Sequence, residues 1–227
     1  GAAFTYKAGK HVFDGVNIDA APGEIIALVG PTGGGKTTLL RVLLGLVRIQ
    51  QGEALVFPAG RPEQAMRVGP STRRMFSYVP QGNMLFAGTI ADNLRLVKPG
   101  AAEQEMWQAL EAACILEEVK ALPEGLGAPI GEHAHGFSEG QAQRLSIARA
   151  LLSDAPIFLL DEATSALDIA TERRLLRNIL RHDSKKTVIL TTHRPSVLDL
   201  CDRVYQVGGG LVQLLGDEER SSFAADF

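Results

Sequence analysis

Glu24-Ile25-Ile26-Ala27-Leu28-Val29-Gly30-Pro31-Thr32-Gly33-Gly34-Gly35-Lys36-Thr37-Thr38-Leu39-Leu40 is the stretch that decides how this chain is read. It enters as an apolar run of strand length, crosses a glycine-rich turn, and leaves as an apolar, helix-like segment over 37–47. Gly30, four residues, and then Gly35-Lys36-Thr37 satisfy G-x-x-x-x-G-K-[ST], the pattern of a phosphate-binding loop. Without side chains, Gly33, Gly34 and Gly35 let backbone N–H groups close on phosphate oxygens. The start of the following helix, at Thr37 and Thr38, adds free N–H donors and the positive end of the helix dipole. Lys36 supplies a full charge for the β- and γ-phosphates, and the Thr37 hydroxyl suits Mg²⁺. A glycine turn followed by a chance Lys-Thr is the alternative, and the strand-then-helix context disfavours it. A nucleoside triphosphate is the expected ligand.

The 227 residues fit one large α/β domain, or a core with a subdomain, and an apolar content of 45% suffices for a substantial core. The net charge of −3 gives no field that recruits nucleic acid or anionic lipid. Cys114 and Cys201 lie far apart in sequence and read as small buried hydrophobes. No apolar run approaches bilayer length, and the opening residues carry no signal peptide, as expected of an excised domain.

Around the loop the pattern predicts antiparallel strands at 4–6 and 12–18, and a strand at 53–57 followed by turns or a short helix over 59–74. A further strand is read over 75–80, ended by Gln81-Gly82-Asn83. Helices are read over 89–96, 103–113 and 115–121, then a glycine-rich loop over 123–136, then a helix opened by Ser138 or Glu139 and running to 152. The region 89–152 is thus a helical insertion without strands. Residues 156–160 form a wholly apolar strand, 171–180 an amphipathic helix, 187–191 a strand, and 204–207 and 211–215 a hairpin through Gly208-Gly209-Gly210. This order argues for a mainly parallel sheet with right-handed crossovers. Residues 216–227 read as a frayed end.

A second motif, Ile157-Phe158-Leu159-Leu160-Asp161-Glu162, delivers two carboxylates at the carboxyl end of an apolar strand, where ligands sit in open α/β sheets. Beside a phosphate loop, Asp161 suits Mg²⁺ through water, and Glu162 suits the general base that polarises the attacking water. Without the loop, a solvated acidic turn would be the better reading.

Here the chain resembles the nucleotide-binding domain of ATP-binding-cassette transporters over nearly its whole length, with the motifs in that family's order. Tyr78-Val79-Pro80-Gln81 resembles the glutamine loop, Phe137-Ser138-Glu139-Gly140-Gln141 the signature, Ser165-Ala166-Leu167-Asp168 the D-loop, and Thr192-His193-Arg194 the switch histidine. The resemblance implies a P-loop core with a mainly parallel sheet, an N-terminal antiparallel β-subdomain and a helical subdomain over about 89–152, all within one cassette, 1–227. It implies ATP and Mg²⁺ as ligands. Gly30, Pro31, Thr32, Gly33, Gly34, Gly35, Lys36, Thr37 and Thr38 would bind phosphates. Thr37, Gln81 and Asp161 would serve the metal, and Glu162, Gln81 and His193 the chemistry. Ser138, Gly140 and Gln141 would form a second phosphate cradle over the nucleotide of a partner cassette. Tyr6 stands where the family places an adenine-stacking aromatic; a core residue of an edge strand is the other reading.

Ile130-Gly131-Glu132 resembles the loop through which such domains touch membrane helices. The run from Gln81 through Leu85-Phe86, Gly88-Thr89-Ile90 and Asn93-Leu94 resembles the exporter type, as does Thr192-His193-Arg194-Pro195-Ser196. The implied partners are a second nucleotide-binding domain and a transmembrane domain, at the cytoplasmic face of the cell membrane, with no nucleic acid. Two departures stand out: Glu139 replaces a signature glycine and Phe137 a leucine. His133 and His135 complete no metal set. The rivals are an importer ATPase subunit, a soluble cassette ATPase acting on nucleic acid or ribosomes, and a non-hydrolysing module. The absence of heptads between loop and signature speaks against the second, and Glu162 with His193 against the third.

Overall fold

All five residues of the apolar run 25–29 are buried in the computed structural model of the chain, which describes residues 1–6, 9, 11–82, 84–182 and 185–225. The chain folds as two compact units, Gly1–Phe76 with Lys186–Phe227, and Ser77–Lys185.

In the first unit, β1 (Ala2–Thr5) and β2 (His11–Val16) pair antiparallel, as their alternation predicts. β3 (Ile25–Val29) then runs into the phosphate loop and helix α1 (Lys36–Leu43). β4 (Leu55–Val56), within the strand read over 53–57, pairs antiparallel with β5 (Met66–Arg67), which lies in the stretch read as turns or a short helix; a two-residue strand has no period to detect. After the second unit the chain returns as β10 (Thr187–Thr191), β11 (Arg203–Gly208) and β12 (Leu211–Leu214). β10 and β11 both pair parallel with β3, which therefore lies between them, and β12 closes antiparallel on β11 through Gly209-Gly210, both at positive φ. Strand β3, covered on both faces and both edges, explains the unbroken apolar run. It also puts Gly30 at the carboxyl end of a central strand, the usual position of ligands in such sheets.

Of the stretch read as frayed, 217–225 is helical: α7 spans Asp217–Ala225, Glu219 accepts from the Gly216 N–H at 2.8 Å, and Arg220 donates to the Asp202 carbonyl at 2.8 Å, while 226–227 lie outside the described residues.

In the second unit, β6 (Phe76–Val79) lies beside β9 (Ile157–Asp161). Between them come β7 (Gly88–Thr89), α2 (Ile90–Arg95), α3 (Glu103–Ala112), α4 (Leu116–Lys120), β8 (Pro129–Ile130) and α5 (Glu139–Leu151), with α6 (Ile169–His182) after β9. The helices fall where the sequence places them. The region is not strand-free, because Gly88–Thr89 pairs with Pro129–Ile130 across forty residues, a contact no local pattern announces. Thr89 caps α2 with Asp92 reciprocating, both at about 3 Å. α5 packs against α2 and α3 with Leu145, Ile147 and Ala148 fully buried. Asn83, read as part of the turn after β6, lies outside the described residues. Both cysteines are free; Cys201 is buried, but Cys114 is only half-buried and sits at φ +59°.

The approach to β3 is pinned by charge. Arg203, at the start of β11, donates to Asp19 at 2.7 Å and to Glu24, while Asp202 accepts from the Ile25 N–H at 2.7 Å. The hydrogen bond from Arg203 holds the Asp19 carboxyl below its usual 3.8. At Glu24, burial pushes the carboxyl up, but Arg203 and the Ala21 N–H outweigh it and leave it below the usual 4.5. Depressed carboxyls contribute stability above their unfolded values and lose it as pH falls through the lowered ones. Arg203→Ala should therefore lower the thermal midpoint at pH 7 by a few degrees, about 1 kcal/mol for a part-exposed cluster. The gap from the parent chain should close below about pH 4 as both carboxyls protonate. An equal gap at pH 7 and pH 3 in thermal melts would show that ion pairing contributes nothing there.

Candidate functional site

The phosphate loop is shaped as much by its neighbour as by a ligand. Gly30 stands at φ +132°, and a Cβ there would lie 2.1 Å from the Val207 carbonyl oxygen; at Gly34 it would lie 2.7 Å from the same atom. Two of the motif's glycines are thus required by the close approach of β11, a reason invisible in the local pattern. Pro31, Thr32 and Gly33 are exposed at the loop tip, whereas Thr37 is half-buried and Thr38 buried. Gly35, at φ +112°, forms the N-cap of α1, with no side chain competing for the first-turn N–H groups.

Lys36 is only 4% exposed. Its Nζ donates to the carbonyls of Gly30 at 2.8 Å and Pro31 at 3.1 Å, and approaches His193 Nε2 at 3.3 Å. An ammonium has no acceptor capacity, so in a hydrogen bond between them Nζ is the donor and Nε2 the acceptor. The sequence reading gives Lys36 and His193 separate roles; the structure brings them into direct contact. A buried cation held by carbonyls and facing a glycine cradle fits a polyphosphate. Tyr6 packs edge-on against Phe4 with ring centroids 4.8 Å apart, and its hydroxyl lies 3.3 Å from Thr38 Oγ1, so the ring is anchored to the first turn of α1.

The acidic motif belongs to the second unit. Asp161 ends β9 at 3% exposure, and Tyr78, from β6, donates its hydroxyl to Asp161 Oδ2 at 3.1 Å. Glu162 follows at φ +50°, a left-handed conformation that a residue with a side chain adopts at a cost. Its Oε2 accepts from Gln81 Nε2 at 3.1 Å, so the glutamine-loop residue and the expected base meet directly. Just beyond, Thr164 donates to Glu172, a carboxylate only 1% exposed, at 2.5 Å. Mg²⁺ prefers oxygen ligands and is usually held by one or two carboxylates together with substrate phosphates; a buried aspartate at a strand end fits that pattern.

Ser138 caps α5: its hydroxyl accepts from the Gln141 N–H at 3.2 Å, and the Ser138 N–H donates to Gln141 Oε1 at 2.9 Å. This reciprocal box, legible as S-x-x-Q, rigidifies the helix start. Ser138 and Glu139 are exposed, and Gly140 is half-buried. Asp168 caps α6 by accepting from the Thr171 N–H at 2.9 Å, and hydrogen bonding from the Thr171 side chain, with that N–H, holds its carboxyl below the usual value. The residues that sequence reasoning passes over are Tyr78, Gln143 and Glu172. Each does its work through a partner distant in sequence or against expectation for a buried polar group.

The family model described as ABC transporter matches residues 13–165. A heavy metal tolerance protein of Schizosaccharomyces pombe is 36% identical over 219 residues, which cover 96% of this chain and 26% of that protein. An ATP-dependent lipid A-core flippase of Neisseria gonorrhoeae is 36% identical over 215 residues, 95% of this chain and 34% of the flippase. A solved bacterial Atm1-family ABC exporter with ATP bound superposes with a TM-score of 0.88 at 29% identity, covering 99% of this chain and 40% of that one. The chain belongs to the ABC transporter family, and its fold is that family's P-loop ATPase fold. It spans about a quarter to a third of the length of the curated relatives it matches.

Proposed function

We propose that this chain is the ATP-hydrolysing cassette of a membrane exporter. Two cassettes pair head to tail, so that the phosphate loop of one faces Ser138, Gly140 and Gln141 of the other. The hydrogen bond between Gln81 and Glu162 carries the reading, because it joins a metal-sensing amide to a carboxylate suited to taking a proton from water. Lys36 and the backbone N–H groups of the loop, Pro31 excepted, hold the phosphates. Mg²⁺, when bound, neutralises phosphate charge, with the Thr37 hydroxyl, Gln81 and Asp161 as its protein partners. Glu162 orients the water and accepts its proton, His193 contacts the γ-phosphate, and Tyr6 stacks on adenine. The protein's contribution is positioning and electrostatics rather than covalent chemistry.

The partners are a second cassette and a transmembrane domain, placing the site at the cytoplasmic face of a membrane. No helix among the described residues is long and apolar enough to cross one, so the spans belong to another segment or chain. Export, rather than import, is supported by the exporter-like run from Gln81 to Leu94 and by the flippase and Atm1-family likenesses.

Phosphate release by the purified chain tests the enzymatic half. Release should require Mg²⁺, stop on chelation, and rise more steeply than linearly with protein concentration. ATP binding without any Mg²⁺-dependent release would identify a non-hydrolysing module instead. The transport half is tested on the flanking and adjoining reading frames, where six apolar spans are expected; their absence would overturn it.

Glu139 bears on this assembly. It is exposed at the first position of α5, and in a closed pair it would stand near the partner's triphosphate. At about 8 Å and an effective dielectric of about 20, one unit-charge pair repels by about 2 kcal/mol, a ceiling that screening reduces. An outward-pointing carboxylate predicts that Glu139→Gly changes ATPase rate by less than about threefold at low salt, a fraction of that ceiling. A tenfold gain that shrinks with salt would show instead that the signature is weakened by its own charge.

A further inference from the structure

Gln143 has no solvent exposure and sits in the second turn of α5, between the buried Ala142 and Leu145. A buried primary amide is tolerated where its donors and acceptor are used. A donor and the acceptor are both used on one target, the turn between β9 and α6. Gln143 Nε2 donates to Ser165 Oγ at 3.2 Å, and its Oε1 accepts from the Ala166 N–H at 3.1 Å. The backbone donor at Ala166 fixes which end of the amide is which. The same turn begins at Glu162, whose carbonyl accepts from the Ser165 N–H at 3.1 Å and whose backbone stands at φ +50°. On the other side, a methyl group at Gly140 would lie 3.2 Å from the Ala166 carbonyl oxygen and 3.5 Å from Leu167 Cδ2. The first two turns of α5 and the 162–168 turn are therefore one locked piece, with Ser138 at one end and Glu162 at the other.

We infer that Gln143 is a positioning residue that transmits the state of the Ser138–Gly140 cradle to the Glu162 carboxylate of the same chain. The inference rests on the reading that Ser138 and Gly140 meet a nucleotide held by a second copy and that Glu162 activates water. When the start of α5 engages a phosphate, its displacement passes through the Gln143 amide to Ser165 and Ala166. From the Ser165 N–H it passes to the Glu162 carbonyl. Glu162 sits in a narrow left-handed well, so a shift of its carbonyl re-aims the carboxylate rather than being absorbed by backbone slack. Each cassette thereby senses that its partner's nucleotide is in place before its own base is aligned, and the two sites turn over cooperatively.

Two single variants and their combination test this, each assayed for ATP-induced thermal shift and for ATPase rate against ATP concentration. Gln143→Met keeps the buried volume and removes the amide; Ser165→Ala removes one partner hydroxyl. Each should retain the thermal shift and a KM within about twofold of the parent chain. kcat should fall about tenfold in Gln143→Met and less in Ser165→Ala, and the Hill coefficient should drop towards one. The double variant should fall no further than Gln143→Met alone, because both act through one link. A parent-like kcat and Hill coefficient in both single variants, even with a lowered melting temperature, would leave Gln143 a purely structural residue and overturn the inference. A parent chain that binds ATP but never hydrolyses it would overturn the ATPase reading itself, and the inference with it.

Discussion

Glu162→Gln should bind Mg²⁺–ATP like the parent chain and hydrolyse it at least about 100-fold more slowly, the usual loss on removing a positioned general base. The substitution is close to isosteric, and its carbonyl oxygen can still accept from Gln81 Nε2, so the 3.1 Å contact that orients the side chain can persist. The left-handed backbone at this residue is unaffected by exchanging a carboxylate for an amide, and the Ser165 N–H still has its carbonyl acceptor. What disappears is the capacity to take a proton from water. With binding intact and hydrolysis slowed, an ATP-bound pair of chains should accumulate, visible by light scattering as a dimer that requires ATP and disperses when ATP is removed. Gln81→Ala offers a contrast: it leaves the carboxylate but not its orienting donor, and should cost less in rate than Glu162→Gln. Full turnover by Glu162→Gln would refute the role given to the carboxylate.

The parts of this site that could be read in advance are those whose chemistry is local. The phosphate loop is a fixed spacing on one strand–turn–helix unit, and 157–160 is an unbroken apolar run followed by two acids, Asp161 and Glu162. Ser138 and Gln141 form a cap with a three-residue signature of its own. The parts that escaped are set by pairing between distant segments. The β7–β8 bridge joins residues forty apart; β5 is too short for a period; Arg203 finds Asp19 and Glu24 from the far end of the sequence. The 3₁₀ turn at Pro195–Leu200 and helix α7 were passed over for a related reason. The first has only six residues, and the second carries polar residues around most of its surface, so its order comes from Glu219 and Arg220 rather than from an apolar stripe. Gly30 and Gly34 illustrate how one spacing can have two causes: it predicts a phosphate cradle, and the Val207 carbonyl also forbids a side chain there.

Lys36→Ala should abolish most of the stabilisation that ATP confers. In the parent chain, Mg²⁺–ATP at about 100 times its dissociation constant adds about 2.7 kcal/mol by linkage, or roughly 5–10 °C of melting temperature for a domain of this size. Removing one partner of a desolvated, hydrogen-bonded charge pair costs about 2–5 kcal/mol, so the dissociation constant should rise between about 30-fold and several thousand-fold. At the same ATP concentration the thermal shift should then be about 3 °C or less. The lysine also has a role without ligand, since its buried ammonium is shared among Gly30, Pro31 and His193, and its stem is packed. Alanine removes the packing as well as the charge, which would lower the ligand-free melting temperature and confuse the comparison. Lys36→Met separates the two effects: it restores most of the stem volume and leaves the phosphates without a cation. Both variants should therefore lose the ATP-induced shift, while only the alanine should lose substantial ligand-free stability. Equal ATP-induced shifts in the parent chain and in Lys36→Met would mean that the ammonium does not meet phosphate, and would remove the central residue from the proposed nucleotide site.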